Sequence, residues 1–76
     1  MEKQKVIIST DYIPLGQFLK LAEIIDTGGQ AKFFLAETYI EVNGEEENRR
    51  GKKLYNGDMV FVDGFGTYEV SRQAES

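Results

Sequence analysis

Four cationic side chains lie close together in an otherwise acidic chain. The 76 residues carry a formal net charge of −4, yet Arg49, Arg50, Lys52 and Lys53 all fall within the stretch NRRGKKLYNGD. Such a cluster creates a local positive field that attracts phosphate groups, even on an acidic protein. The alternative is a solvated sheet edge, because proteins often use lysine to prevent edge strands from pairing.

Three details of this stretch favour binding over edge protection. Two of its four cations are arginines, whose planar guanidinium groups form paired hydrogen bonds with a phosphate or a base edge. Gly51 separates the two cationic pairs, and its lack of a side chain allows another backbone to approach closely. Tyr55 follows the run and offers an aromatic ring on which a base can stack.

Three other stretches contain residue types that could bind a ligand or catalyse a reaction, but each has a simpler structural interpretation. The three glutamates at 45–47 follow an Asn-Gly turn, so we predict a solvated turn rather than an acid–base or metal site. The stretch TGGQ at 27–30 predicts a tight turn between helices, although exposed backbone N–H groups there would also suit a phosphate. For Phe33 and Phe34 we predict packing, with base stacking as the alternative.

The composition argues against an enzyme. The chain contains no cysteine, which rules out disulfides, thiolate metal sites and a cysteine nucleophile, and no histidine, the most frequent general base. A chain of 76 residues also has few residues from which to build an enclosed catalytic pocket. We therefore expect a non-catalytic protein that needs no cofactor or metal and acts in the cytoplasm, since no secretory or membrane-spanning segment is evident.

Two helices and a set of strands must position these residues. An apolar stripe at helical spacing predicts a first helix over about 15–25, and the stretch GQAKFFLAETY at 29–39 predicts a second that faces it through Ala31 and Leu35. We place Pro14 in the first turn of the first helix, where its missing N–H costs nothing. The stripe consists of Leu15, Phe18, Leu19, Ala22 and Ile25.

The second half of the chain alternates apolar and polar residues, as strands do. Strands are predicted at 39–42, around Leu54, at 59–62 and at 66–70, with turns at Asn43-Gly44 and at 56–58. Strand alternation predicts that Arg49, Lys53 and Tyr55 point outward if Leu54 is buried. A short strand over 5–9 precedes the helices.

The predicted fold class is α+β, a helical hairpin packed on a small antiparallel β-sheet in the order α-α-β-β-β. We expect residues 1–76 to form a single domain with its core at about 12–70 and loose termini at 1–5 and 72–76.

The order of these signals resembles the RNA-binding domain named after the fourth protein of the small ribosomal subunit, here called the S-four-type domain. The resemblance covers about residues 12–70. Within the family, the chain is similar to the small stand-alone bacterial YaaA-like type, which shares stretches like LGQFLKLA and NRRGKKL. The matching pieces are Leu15, Phe18 and Leu19 in the first helix, Ala31-Lys32 in the second, Ile40-Glu41-Val42-Asn43-Gly44, and Gly57-Asp58-Met59-Val60-Phe61-Val62.

This resemblance implies a protein that binds structured RNA with its helical hairpin and the adjoining strand and loop. By matching position it implicates Lys32 and Lys53, with Gln30 at the start of the second helix. Many members open the first helix with Arg-Leu-Asp and carry Ser-Arg before the second, whereas this chain has PLG at 14–16 and TG at 27–28. The cations of 49–52 fall in a stretch that varies within the family, so their role is predicted from charge.

We therefore predict binding of structured, ribosomal RNA in ribosome assembly or translation. A-form RNA is recognised mostly through its shape, phosphates and 2′-hydroxyls, which polar and cationic side chains contact. Ribosomal or other proteins are further possible partners, and no membrane is expected. The alternative is a protein-interaction or β-grasp carrier-like domain that binds no nucleic acid. The candidate RNA-binding residues are Gln17, Lys20, Gln30, Lys32, Arg49, Arg50, Lys52, Lys53 and Tyr55.

Overall fold

A computed structural model describes residues 3–73 and shows an α+β fold, as predicted. Over these residues there are two α-helices, one 3-10 turn and seven strands, and neither helix has the length and apolar character needed to cross a membrane. The elements are β1 (Gln4–Ile8), β2 (Tyr12–Pro14), α1 (Leu15–Leu21), the 3-10 turn (Gly28–Gln30), α2 (Ala31–Glu37), β3 (Ile40–Val42), β4 (Glu45–Glu46), β5 (Lys53–Tyr55), β6 (Met59–Val62) and β7 (Gly66–Arg72).

The main sheet is mixed, which corrects the predicted antiparallel sheet. Its five strands lie in the order β1-β7-β6-β3-β4, and β1 runs parallel to β7 while the other neighbours are antiparallel. Parallel neighbours need a long crossover between them, and here it contains both helices and the intervening strands. The sequence predicted β1 as a strand, but the pattern of its residues does not reveal a partner more than 60 residues away.

A second, two-stranded ribbon joins β2 to β5 and was not predicted. Its register pairs Tyr12 with Tyr55, Ile13 with Leu54 and Pro14 with Lys53. Pro14 has φ −64° and ψ 146°, so it is extended and precedes α1 rather than lying in its first turn. The predicted order α-α-β-β-β is therefore incomplete, because two strands come before the helices.

The core lies between the helices and one face of the main sheet. The Phe18 ring of α1 meets the Tyr68 ring of β7 edge to face, with centroids 6.2 Å apart. Full burial of a side chain such as that of Phe18 stabilises the fold by about 1.5–3 kcal/mol. The strands contribute alternate residues, as the period-two pattern predicted. The buried apolar residues are Val6, Ile8, Leu15, Phe18, Leu19, Ile25, Ala31, Leu35, Ile40, Val42, Leu54, Val60, Val62, Tyr68 and Val70.

Helix α1 ends four residues earlier than predicted. Glu23 adopts φ 62°, and its N–H donates to the Lys20 carbonyl at 3.0 Å, while Ile24 N–H donates to the Leu19 carbonyl at 2.9 Å. These two bonds form a Schellman motif, in which one left-handed residue closes the helix. Glycine is the usual residue there, so the glutamate gave no stop signal. Ile25 is nevertheless buried, because the chain folds back onto the core after the turn.

Both ends of the described chain lie in the main sheet. Gln4 and Lys5 of β1 pair with Tyr68 and Glu69 of β7, and Arg72 pairs with Ile8. Gln4, Lys5 and Arg72 belong to the terminal segments that the sequence predicted to be loose, so the sheet extends beyond the predicted core of 12–70. The rest of the predicted loose termini, residues 1–2 and 74–76, lies outside the described residues.

The predicted Asn43-Gly44 turn is confirmed and is tied to the turn before β6. Asn43 and Gly44 adopt φ 53° and 86°, the positive values that a tight hairpin between β3 and β4 requires. The Asn43 Nδ2 donates to Asp58 Oδ1 at 3.1 Å, and Asn43 Oδ1 accepts from Met59 N–H at 2.9 Å. Asp58 Oδ2 also accepts from Tyr55 N–H at 2.8 Å. These bonds fix the end of β5, and with it the end of the cationic stretch.

Candidate nucleic-acid interface

The cationic stretch is attached to the start of α1 through its main chain. We call residues 49–52 the basic loop. The N–H of Leu15 donates to the Lys52 carbonyl at 2.8 Å, and the N–H of Gly16 donates to the Arg50 carbonyl at 2.9 Å. The first N–H groups of a helix have no acceptor within the helix, so the loop supplies carbonyl partners that α1 lacks. The loop is therefore held by main-chain hydrogen bonds that do not use the side chains of Arg50 and Lys52.

Gly16 is the point where α1, α2 and the basic loop come closest. A β-carbon placed on Gly16 would lie 3.2 Å from the Ala31 Cβ and 3.3 Å from the Arg50 Cβ, closer than nine in ten real contacts of a β-carbon. By contrast, a β-carbon on Gly51 would meet nothing within 4 Å. The close approach of α1, α2 and the basic loop therefore depends on Gly16. Gly51, for which the sequence predicted a close backbone approach, makes no such contact with the described residues.

A groove of about 290 Å³ opens where these three segments meet, and we call it the hairpin groove. It brings together three of the predicted site residues, namely Gln17 and Lys20 from α1 and Arg50 from the basic loop. All three are exposed residues, and two of them are cations. The residues that line the groove are Pro14, Gly16, Gln17, Lys20, Gly28, Ala31 and Arg50.

Gln30 has a structural task that the sequence did not reveal. Its Oε1 accepts hydrogen bonds from the N–H of Asp26 at 2.7 Å and of Thr27 at 2.9 Å, which closes the turn before α2. The turn at 27–30 is thus confirmed as a 3-10 turn leading into α2, but the connection between the helices spans residues 22–30 and is longer than the predicted tight turn. Lys32 lies on the exposed side of α2, next to the buried Ala31.

Among the cations of the predicted site, Arg49 is the one that pairs with a carboxylate within residues 3–73. Its Nε donates to Glu47 Oε2 at 2.8 Å and its Nη2 to Glu47 Oε1 at 3.2 Å, and its backbone N–H also donates to Glu47 Oε2 at 3.1 Å. These bonds from the guanidinium lower the pKa of the Glu47 carboxyl to about 2. The positive charge of Arg49 is therefore offset locally. Of the three glutamates predicted to be solvated, Glu45 and Glu46 are exposed, whereas Glu47 is half-buried in this pair.

Lys53 and Tyr55 occupy the exposed side of the β2–β5 ribbon. The burial of Leu54 between them turns both outward, as strand alternation predicted. Their neighbour Tyr12 was missed in the sequence, since β2 was not predicted. The Tyr12 ring lies 5.9 Å from the Tyr55 ring, and Lys53 Nζ lies 5.0 Å from the Tyr12 ring centroid. The only local signal was an aromatic residue after the polar STD stretch at 9–11.

Six of the nine predicted site residues form two groups at the basic loop, whereas Gln30, Lys32 and Arg49 line neither depression. Gln17, Lys20 and Arg50 line the hairpin groove. A second depression of about 210 Å³ contains Lys52, Lys53 and Tyr55. Acidic groups also border this second depression, which makes its charge mixed. Its remaining lining residues are Val42, Asn43, Glu45, Glu47 and Asp58.

Comparisons with known proteins place the chain in a family. The family model described as the S4 domain matches residues 6–71. A Bacillus subtilis (strain 168) protein named "probable ribosome maturation protein RlbA" is 55% identical over 65 residues, which cover 86% of this chain and 92% of that protein. The S-four-type resemblance is confirmed, and the matched region includes most of β1. The chain belongs to the S4 domain family.

Proposed function

We propose that this protein binds structured ribosomal RNA without catalysing a reaction, and that it acts in ribosome assembly or translation. Membership of the S4 domain family supports RNA binding, and the similarity to a protein named for ribosome maturation supports a ribosomal target. Both favour RNA over the carrier-like alternative. Ribosomal proteins are candidate additional partners, and the cytoplasm is the expected site of action.

The observation that carries this proposal is the hydrogen bond from Gly16 N–H to the Arg50 carbonyl, 2.9 Å long. It fixes a residue of the basic loop beside α1, so that Arg50 and Lys20 border the same groove. The first helix of this chain begins at Leu15, directly after Pro14, and lacks the arginine that many members carry there. In our proposal Arg50 restores a positive charge to that end of the hairpin.

The number of available cations sets the expected strength of the electrostatic contribution. A protein that neutralises phosphates releases the counterions that were bound to them, so affinity falls as salt rises. If four to six phosphates are contacted, the slope of log K against log salt is about −3 to −5. Within residues 3–73, five cations of the proposed surface lack the carboxylate pairing seen for Arg49. They are Lys20, Lys32, Arg50, Lys52 and Lys53.

Crosslinking in bacterial cells, followed by sequencing of the bound RNA, tests the proposal. The wild-type protein should crosslink to ribosomal RNA, and the double variant Lys20→Gln/Arg50→Gln should lose most of that signal. The control with the same change of charge is Lys3→Gln/Lys5→Gln, which removes Lys3 just before β1, where it pairs with Glu69, and Lys5 within β1, the edge strand of the main sheet. Lys5 points away from the core there, since its neighbour Val6 is buried.

Two results would contradict the proposal. One is the absence of crosslinked RNA from the wild-type protein. The other is full retention of the crosslinked ribosomal RNA by the folded Lys20→Gln/Arg50→Gln variant, since the hairpin groove would then not contact that RNA.

A further inference from the structure

The β2–β5 ribbon presents two aromatic rings and a cation on one exposed surface. Tyr12 is 39% exposed and Tyr55 is 50% exposed, although both belong to paired strands. Their ring centroids are 5.9 Å apart and the ring planes are inclined by 45°, so the two rings form a shallow V rather than one plane. Lys53 Nζ lies 5.0 Å from the Tyr12 ring centroid.

Packing within the ribbon explains only part of this arrangement. Tyrosines directly opposite each other on neighbouring strands stabilise a ribbon by about 0.2–1 kcal/mol. That contribution does not require the rings to remain so accessible. The inner side of the ribbon already supplies the packing contact, because Leu54 is fully buried and Ile13 packs against the core.

We infer that Tyr12 and Tyr55 form a stacking platform for one unpaired nucleobase of the bound RNA, with Lys53 placed to meet the phosphate of that nucleotide. This inference rests on the proposed RNA binding and names the class of RNA more closely. Every base offers an apolar π-face that stacks on aromatic side chains, whereas its phosphate seeks a cation. The ribbon provides both within about the size of one nucleotide.

The position of the ribbon connects the platform to the rest of the proposed interface. β5 follows the basic loop directly, and the Lys52 carbonyl is hydrogen-bonded to Leu15 N–H at 2.8 Å, immediately after β2. Loop and ribbon are therefore held to the same end of α1. An RNA stem whose phosphates lie along the hairpin groove and the basic loop would bring the neighbouring nucleotide onto the ribbon.

The platform restricts the kind of RNA that can use it. Bases within a duplex are stacked on each other and expose no face except at the ends of the helix, whereas bulges and loops contain bases that can splay out onto a protein. Tyr55 is the more exposed ring and takes the base, while Tyr12 contacts its edge from the neighbouring strand. The expected target is therefore a stem next to at least one unpaired nucleotide.

Two RNA hairpins test this inference. Both carry a stem from the ribosomal RNA that crosslinks to the protein and the same tight tetraloop of stacked bases; one stem is fully paired and the other contains a single bulged 2-aminopurine. The wild-type protein should bind the bulged hairpin at least about fivefold more tightly, the lower end expected for one base–aromatic stack. The fluorescence of the 2-aminopurine should fall on binding. Tyr12→Val/Tyr55→Val should abolish the preference and the fluorescence change while retaining affinity for the paired hairpin.

Tyr12→Phe/Tyr55→Phe is the matched control, because it retains both rings and should keep the preference. Valine favours strands, and thermal unfolding of each variant shows whether the ribbon is intact. Equal affinity of the wild-type protein for the two hairpins would overturn the platform but leave the proposed RNA binding in place. A preference for the bulged hairpin that survives in the folded Tyr12→Val/Tyr55→Val variant would have the same consequence. Failure of the wild-type protein to bind either hairpin would overturn both proposals.

Discussion

The backbone N–H of Gly16 donates a 2.9 Å hydrogen bond to the carbonyl oxygen of Arg50. The bond joins the first turn of α1 to the basic loop, and the bond from Leu15 to Lys52 lies beside it. Because main-chain atoms hold the loop, the cationic side chains are not needed to keep it in place. Substitution of those side chains should therefore change binding more than folding.

Gly16→Ala should displace the basic loop. The new methyl group would lie 3.2 Å from the Ala31 Cβ and 3.3 Å from the Arg50 Cβ, and neither of these atoms is the end of a flexible side chain. Overpacking of this kind costs about 1–3 kcal/mol. We expect a lower free energy of unfolding in urea, together with weaker binding to ribosomal RNA.

Gly51→Ala is the matched control, since it adds the same methyl group within the basic loop. That methyl group would meet nothing within 4 Å, and Gly51 does not have the positive φ that disfavours alanine. The variant should unfold at nearly the wild-type urea concentration. Equal effects of the two substitutions would show that the close approach at Gly16 does not set the position of the loop.

Glu47→Gln should strengthen RNA binding. Glu47 accepts two hydrogen bonds from the Arg49 guanidinium, so its charge offsets a cation next to the proposed surface. The amide removes one negative charge and frees Arg49 to contact a phosphate. We expect an affinity for ribosomal RNA several times higher, and a salt slope steeper by about one unit if Arg49 gains a phosphate contact. Glu46→Gln removes a charge that Arg49 does not contact and should have a smaller effect; equal effects would rule out release of Arg49.

The same pair predicts a pH dependence of stability. The Arg49 guanidinium lowers the pKa of Glu47 from an ordinary value of 4.5 to about 2. A carboxyl with a lowered pKa in the folded state stabilises the protein above its unfolded pKa, and this stabilisation is lost as the pH falls through the folded pKa. The stability gap between wild-type protein and Glu47→Gln should therefore be largest near neutral pH and shrink between about 4.5 and about 2. Urea unfolding across this range measures the gap, and a constant gap would argue against the ion pair.

Glu23→Gly should stabilise the protein. Glu23 holds φ 62°, a left-handed conformation that costs a residue with a side chain about 1–2 kcal/mol, whereas glycine adopts it freely. We expect a gain of about 1 kcal/mol in the free energy of unfolding. The control Glu37→Gly makes the same change within α2 and should cost about 1 kcal/mol. Destabilisation by both substitutions would mean that Glu23 does not close α1 in the left-handed conformation.

Local patterns in the sequence predicted much of the fold. The helical stripe identified α1 and α2, the Asn43-Gly44 pair identified its hairpin, and alternation around Leu54 identified the outward direction of Lys53 and Tyr55. Each of these signals arises within a few residues. The end of α1 was missed because its left-handed residue is Glu23 rather than glycine.

Contacts between distant segments could not be predicted in the same way. The parallel pairing of β1 with β7 and the ribbon of β2 with β5 depend on the order of the whole fold. The groove formed by Lys20 and Arg50 depends on a backbone bond between residues 34 positions apart in sequence. From charge alone, Arg49 was predicted to be as available for RNA as Arg50 and Lys52. In the structure it pairs with Glu47 instead.

The salt dependence of binding to ribosomal RNA, compared between the wild-type protein and Lys20→Gln/Arg50→Gln, tests the central claim most directly. Lys3→Gln/Lys5→Gln serves as the control with the same change of charge. We predict a slope of log K against log salt of about −3 to −5 for the wild-type and control proteins, and a slope shallower by roughly 1.5 for Lys20→Gln/Arg50→Gln. Identical slopes and affinities for all three proteins would contradict the claim that the hairpin groove contacts RNA.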